Sequence, residues 1–232
     1  MQSNNKKLIW DLPLRLFHWL LVLALLGSWY TSEQEGDMVE QHMLLGYLIL
    51  GLVIFRIIWG FVGTKHSLFK HFIPSPSAVS EYAKQVTKPN APKYPGHNPL
   101  GSLMVIIMIV SILAQAISGL FINDDIFSSG PYYEVFGSDF SKLMKTIHIY
   151  GFDVMLALIA LHLSAIIFYW WKKKINLILP MVTGKKLAKD INEQDQIKHS
   201  KLLIGLFVAI VVAVFVYWLV VINAPVLEEF YY

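Results

Sequence analysis

The chain has 232 residues, 56% of them hydrophobic, and a mean hydropathy of +0.53. That is too apolar for an ordinary soluble domain and enough for one membrane bundle of four or five helices. It contains no cysteine, which excludes cysteine-ligated iron–sulfur clusters, thioether-attached haem and redox disulfides. The net charge of +3 excludes little; its distribution along the chain is informative.

Residues 1–13 are polar and basic. An apolar run from Leu12 to Tyr30 follows, interrupted by Arg15 and His18. No small-residue cleavage site follows it, so it reads as a retained first helix and not a signal peptide. Residues 31–40 are short and acidic (Glu33, Glu35, Asp37, Glu40). His42 opens a second apolar run to Phe61. Residues 62–98 carry five prolines and five lysines and hold no spanning helix. A short surface helix over 77–86, capped by Ser77, is predicted there.

Asn98-Pro99 starts the third run, to about Ile122: Asn suits the N-cap and Pro the first helical position. Residues 123–144 are turn-rich and acidic. The fourth run, from Lys145 to Lys172, carries His148, Asp153 and His162. Residues 172–201 are basic. The fifth run, from Leu202 to Ile222, has no charge and no histidine, so it is expected to face lipid or a partner helix and to be dispensable for cofactor binding. The tail carries Glu228 and Glu229.

With the N-terminus in the cytoplasm and spans alternating, the inner segments hold 17 of the 19 lysines and arginines, and the outer side holds 11 of the 16 acids. This asymmetry follows the positive-inside rule. It predicts five spans in a bacterial inner membrane, N-terminus in and C-terminus out. Trp residues and Tyr132, Tyr133, Tyr231 and Tyr232 fall near the expected interfaces, as aromatic belts do.

His148 and His162 are separated by close to four helical turns, so they share a stripe and lie about 21 Å apart along the axis. Ionisable residues inside a span are functional candidates. A histidine-only ligand set in a dry bundle suits haem held without covalent bonds, and two haems need four axial ligands. The topology pairs His42 with His148 near the outer surface and His18 with His162 toward the inner one. Gly46 and Gly151 share a face with their histidines and leave room for a macrocycle, or simply let helices approach. Arg15 and Arg56 are placed to pair propionates of the inner haem or to act as positive-inside anchors. Asp153 points off the stripe, as a proton relay, a quinone contact or a helix–helix hydrogen bond. His66, His71, His97 and His199 read as solvated.

Five stretches carry a resemblance: Trp10-Asp11-Leu12-Pro13 with Arg15-Leu16-Phe17-His18-Trp19; His42 with Gly46; Arg56 to Gly63; Gly96-His97-Asn98-Pro99-Leu100-Gly101; and His148 with His162. Together they resemble the bacterial cytochrome b561 family, particularly the b-type cytochrome subunits of nickel–iron hydrogenases, over residues 10 to about 171. The resemblance implies an all-α integral membrane protein with a four-helix di-haem bundle, and His18, His42, His148 and His162 as axial ligands to two haem b. It also implies electron transfer between a partner protein and membrane quinone. Ile149 stands where relatives often carry an acid, and the fifth helix follows where many relatives end.

Three units are expected: a di-haem core over 1–171, a basic cytoplasmic linker over 172–201, and a fifth helix with an outer tail over 202–232. The partner is expected on the outer side: a hydrogenase, a reductase or a c-type cytochrome, with no role for nucleic acid. An electron-transfer subunit is favoured over a stand-alone enzyme, and no catalytic residue is assigned. The alternative is a self-contained quinone-coupled oxidase of a small outer substrate such as superoxide. The acidic outer loops disfavour it, because they would repel anions.

Overall fold

The computed structural model describes residues 6–34, 38–124, 128–187 and 192–225; Glu35, Asp37, Asp125, Glu228, Glu229, Tyr231 and Tyr232 lie outside them. Five helices are long and apolar enough to cross a membrane: α1 (Leu12–Ser32), α2 (Val39–Val62), α5 (Pro99–Gly119), α6 (Ser138–Trp171) and α8, which covers Leu202–Tyr217 and continues as a π-helical turn, Trp218–Ile222. Short helices α3 (Phe69–Phe72), α4 (Pro76–Gln85) and α7 (Ile178–Thr183) lie between them. The chain is an all-α integral membrane protein but for two short strands, β1 (Lys6–Leu8) and β2 (Lys185–Leu187), which pair antiparallel with Lys7 opposite Lys186.

Local chemistry explains the helix starts. Asp11 caps α1 by accepting from Leu14 N at 2.8 Å, and Asn98 caps α5 by accepting from Gly101 N at 2.8 Å. Each cap is followed by a proline in the first turn, where a missing N–H costs nothing. The cap of α4 is Ser75, not Ser77: Pro76 takes the first helical position, and Ser75 Oγ accepts from Ala78 N. α2 begins at Val39, ahead of His42, and α6 begins at Ser138, well ahead of Lys145. In α6 the positive φ of Gly137 ends the preceding turn, and the polar stretch that follows stays helical outside the apolar run.

Two antiparallel pairs, α1 with α2 and α5 with α6, are joined where α2 meets α5. One core cluster gathers Ala24, Ile49, Val53, Ile112 and Met155 from all four helices. A second gathers Trp10, Phe17, Phe55 and Trp59 with Val208, Val212 and Val216 of α8. The fifth helix is apolar all round, as expected, yet one stripe of it is packed inside the chain. Gly205 lets it close on Pro13, where a Cβ would meet the ring at 2.7 Å. At its far end, Tyr132 Oη donates to the carbonyl of Leu219 at 2.8 Å, within the π turn.

One end of the bundle is sealed by a polar clamp. The Asp11 side chain is fully buried and accepts from Leu14 N and Trp59 Nε1 on Oδ1, and from Thr64 Oγ1 and Ser67 Oγ on Oδ2. Around it the three basic segments interlock on one side. Lys65 pairs with Asp195 at 2.9 Å, His66 Nε2 donates to the Asp195 carbonyl at 2.7 Å, and Lys186 Nζ donates to the Pro95 carbonyl at 2.7 Å. Lys201 Nζ donates to the carbonyls of Val62 and Gly63 at 3.0 and 2.7 Å, a favourable partner for the end of α2. Residues 6–15, 63–98, 172–187 and 192–201 thus share one face of the molecule, as alternating spans require.

Removing one partner from a buried charged network costs about 3–5 kcal/mol. Asp11→Ala is expected to lower stability by about that much in mixed-micelle unfolding. Asp11→Asn, which keeps an acceptor for Leu14 N and Trp59, should cost less. An Asp11→Ala midpoint equal to wild type would show that the clamp does not hold this end together.

Candidate cofactor site

The imidazoles of His42 on α2 and His148 on α6 face each other with ring centroids 6.2 Å apart and planes at 78°. Each is oriented by a backbone carbonyl of the neighbouring helix. His42 Nδ1 donates to the Ser28 carbonyl at 2.9 Å, and His148 Nδ1 donates to the Gln115 carbonyl at 3.0 Å. Both carbonyls lie near helix ends, and hydroxyls gather round the same nitrogens: Ser28 and Thr31 at 3.4 Å from His42, and Ser118 at 3.1 Å from His148. A proton held on Nδ1 leaves the Nε2 lone pair bare, which is the tautomer a metal ligand needs.

A cavity of about 420 Å³ opens beside the pair. Gly46 lines it, and a Cβ there would meet nothing within 4 Å. Of the two readings of Gly151, the structure matches the helix approach: a Cβ there would strike Gln115 Oε1 of α5 at 2.5 Å, so it makes room for Gln115, which in turn donates to the His148 carbonyl at 2.9 Å. Gly119 stands against the His148 ring, 3.2 Å from a built Cβ to Cε1. Sequence reasoning missed Ser28, Gln115, Ser118 and Gly119. The signal was two polar residues three apart, Gln115 and Ser118, inside an otherwise apolar run at the level of His148.

The other pair lies toward the Asp11 clamp. His18 is close enough to His162 for the two to interact electrostatically, and His18 Nδ1 is buried without a hydrogen-bond partner among the described residues. Arg15 Nη1 donates to the Val182 carbonyl, which leaves its buried Nε unpaired among the described residues. Arg56 is 1% exposed. Its guanidinium carbon sits 5.3 Å from the ring centres of both Phe69 and Phe72. Its Nη1 donates to the Ser67 carbonyl at 3.3 Å, and its buried Nη2 has no hydrogen-bond partner among the described residues.

Two histidines read as solvated are covered by the chain, His66 buried and His97 half-buried. His66 is buried on Asp195. His97 packs between Trp10 and Phe72, with ring centres at 4.7 and 5.4 Å. Burial, then the neighbouring charges of Arg56 and Lys186, pushes the His97 pKa down to about 3, so it is neutral at pH 7. His71 and His199 are exposed, as expected. Asp153 is exposed on α6 and does not line the cavity.

Five apolar spans enclosing a pair of imidazoles that face each other are the architecture of a membrane-embedded b-type cytochrome, which carries electrons on haem b. The chain belongs to the prokaryotic cytochrome b561 family, which it matches over residues 9–184; the match ends before α8. A Rhizobium leguminosarum bv. viciae protein described as a probable Ni/Fe-hydrogenase B-type cytochrome subunit is 26% identical over 215 residues, covering 78% of this chain and 89% of that protein. Proteins of the same description from Rhodobacter capsulatus and Azotobacter vinelandii are 22% and 23% identical, each over 78% of this chain and over 82% and 89% of their own lengths. No solved structure shows a significant match.

The cavity gives a direct test. Gly46→Ala should leave haem content unchanged, because its methyl enters open space. Gly46→Phe should fill that space and lower the haem absorbance per purified chain. Equal haem in both variants would place the cofactor elsewhere.

Proposed function

We propose that the protein carries two haem b, one on His42 and His148 and one on His18 and His162, and passes electrons between a protein partner and membrane quinone. The facing of His42 and His148 carries the proposal. Two metal–imidazole bonds of about 2 Å, added to the distance of about 1 Å from each nitrogen to its ring centre, separate the centroids by roughly 6 Å. The observed 6.2 Å suits a single iron between them. The site is a pair and not a larger cluster: no group of three or more His, Asp or Glu side chains that could hold a metal ion occurs among the described residues. Haem needs only two protein ligands and supplies the one-electron chemistry when bound.

The chain's own residues do the rest. The carbonyls of Ser28 and Gln115 hold two ligands in the metal-binding tautomer. Apolar packing by Ala24, Ile49, Ile112 and Met155 keeps the space between the levels dry. Arg56 Nη2 and Arg15 Nε, buried and unpaired among the described residues, are donors suited to the carboxylate edge of a cofactor at the His18/His162 level.

The basic side, which contains the Asp11 clamp, is assigned to the cytoplasm on the positive-inside rule, with α8 carrying the C-terminus outward. The His42/His148 level then faces the outer side, and the His18/His162 level lies near the cytoplasm. The relatives' description as hydrogenase cytochrome subunits points to a hydrogenase as the outer partner. Glu33, Glu40, Glu134 and Asp139 are exposed on the outer end, where they favour a basic docking face and disfavour capture of small anions such as superoxide. Quinone is assigned to the cytoplasmic level, beneath segment 63–98.

Pyridine-haemochrome assay of the purified protein should give two haems per chain. His42→Ala and His148→Ala should remove one and the same haem, and His18→Ala and His162→Ala the other. A single haem in the wild-type protein, or loss of the same haem by variants from both pairs, would overturn the assignment.

A further inference from the structure

The two levels sit in opposite electrostatic surroundings. The cavity beside His42 and His148 is lined by two acids, Glu33 and Asp124, and by no Lys or Arg among the described residues. The outer segments 33–40 and 123–137 contain neither basic residue type. The bases at that end, Lys142 and Lys145, are on α6 outside the cavity, and Lys142 is paired with Asp139 at 3.3 Å.

At the other level Arg56 is almost wholly buried, and it shares its neighbourhood with His162: both act electrostatically on His97, as does Lys186. Asp11 is the nearby opposing charge; it is held by four neutral donors, none of them Arg56. Arg56 keeps an Nη2 unpaired among the described residues. A buried charge is screened far less than an exposed one.

We infer that buried Arg56 and the acid-lined, base-free outer cavity fix the order of potential of the two levels, so that the His18/His162 level holds an electron more tightly than the His42/His148 level. This rests on the di-haem reading above. A positive charge beside an iron stabilises its reduced, less positive state, and a negative charge stabilises the oxidised one. Electrons then run downhill from outer to inner level, one at a time. Each transfer oxidises the outer level by one electron and reduces the inner by one. A reduced protein donor supplies them outside. Two are removed inside by a quinone, which also takes up two protons to become the quinol. Arg56 is a positioning and tuning residue and does not itself carry charge across.

The test is a spectroelectrochemical titration of the purified full-length protein, with each component assigned by the histidine variant that removes it. In wild type, the component lost in His42→Ala should have the lower midpoint. Arg56→Gln should lower the midpoint of the component lost in His162→Ala by at least a tenfold change in its oxidised-to-reduced ratio, about 59 mV for a one-electron couple, and leave the other in place. Arg56→Lys, which keeps the charge, should restore most of the shift. Glu33→Gln combined with Asp124→Asn should raise the other component, by less and with a dependence on salt, because those groups are wetter. An inner midpoint unmoved in Arg56→Gln with both haems bound, or the lower midpoint assigned to the inner level, overturns the inference and leaves the di-haem reading standing. Absence of a second haem overturns that reading instead.

Discussion

The buried carboxylate of Asp11 is the constraint on which the rest of the bundle depends. It joins the start of α1 to the end of α2 through Trp59 and to the turn at Thr64 and Ser67. The same two helices are joined again at their other ends, where the Ser28 carbonyl accepts from His42. Ser28 follows Asp11 in sequence by the same interval that separates His42 from Trp59. Two antiparallel helices tied at both ends over equal lengths have no freedom to slide. At a rise of about 1.5 Å per residue, a slip of one residue at the clamp would carry the imidazole past its carbonyl. The depth of His42 is therefore set by a carboxylate about 25 Å away along the helix axis.

The clamp also explains how Arg56 is tolerated. An arginine inside a bundle needs compensation. Here it comes from the Asp11 charge, the Ser67 carbonyl and two aromatic faces, Phe69 and Phe72, each of which attracts a guanidinium. None of these saturates the fork, so one nitrogen remains for a further acceptor. On the proposed topology, an electron moved inward against a negative interior would climb about 2.3 kcal/mol per 100 mV for the full span, and the fixed positive charge of Arg56 would offset part of that climb.

Much of this was legible in the sequence. Hydropathy located all five spans, and all but the polar start of α6 within a few residues, because a bilayer demands about 20 apolar residues whatever the tertiary context. Counting depth along alternating helices paired His42 with His148, since antiparallel packing converts sequence position into height. What escaped was local or long-range. A strand pair as short as β1 with β2 has no periodicity to detect. The polar start of α6 is helical but not apolar, so an apolar window stops short of it. His66 and His97 looked solvated because they lie in a polar, proline-rich segment; that segment folds back over Trp10 and Phe72, and composition carries no sign of such a fold. The spacing of Gly151 from His148 left room for a macrocycle and helix approach equally open, because spacing alone cannot show that Gln115 of another helix occupies the space.

The distribution of ligands between helices has its own consequence. Each level draws one histidine from the α1/α2 pair and one from the α5/α6 pair: His18 or His42 from the first, His148 or His162 from the second. Among protein contacts the two pairs meet mainly where α2 packs on α5, and α6 lies chiefly along α5. In the di-haem reading, one cofactor at each level would join α1 and α2 to α6 across the interior, where side chains alone leave a cavity beside His42 and His148. A group that binds only the assembled pairs stabilises their association by mass action. The α2–α5 contact brings the two hairpins together, and the proposed ligation at two depths about 21 Å apart along α6 would then restrain their crossing angle. One ligand pair would leave α6 free to pivot about a single iron; two spaced along the helix do not.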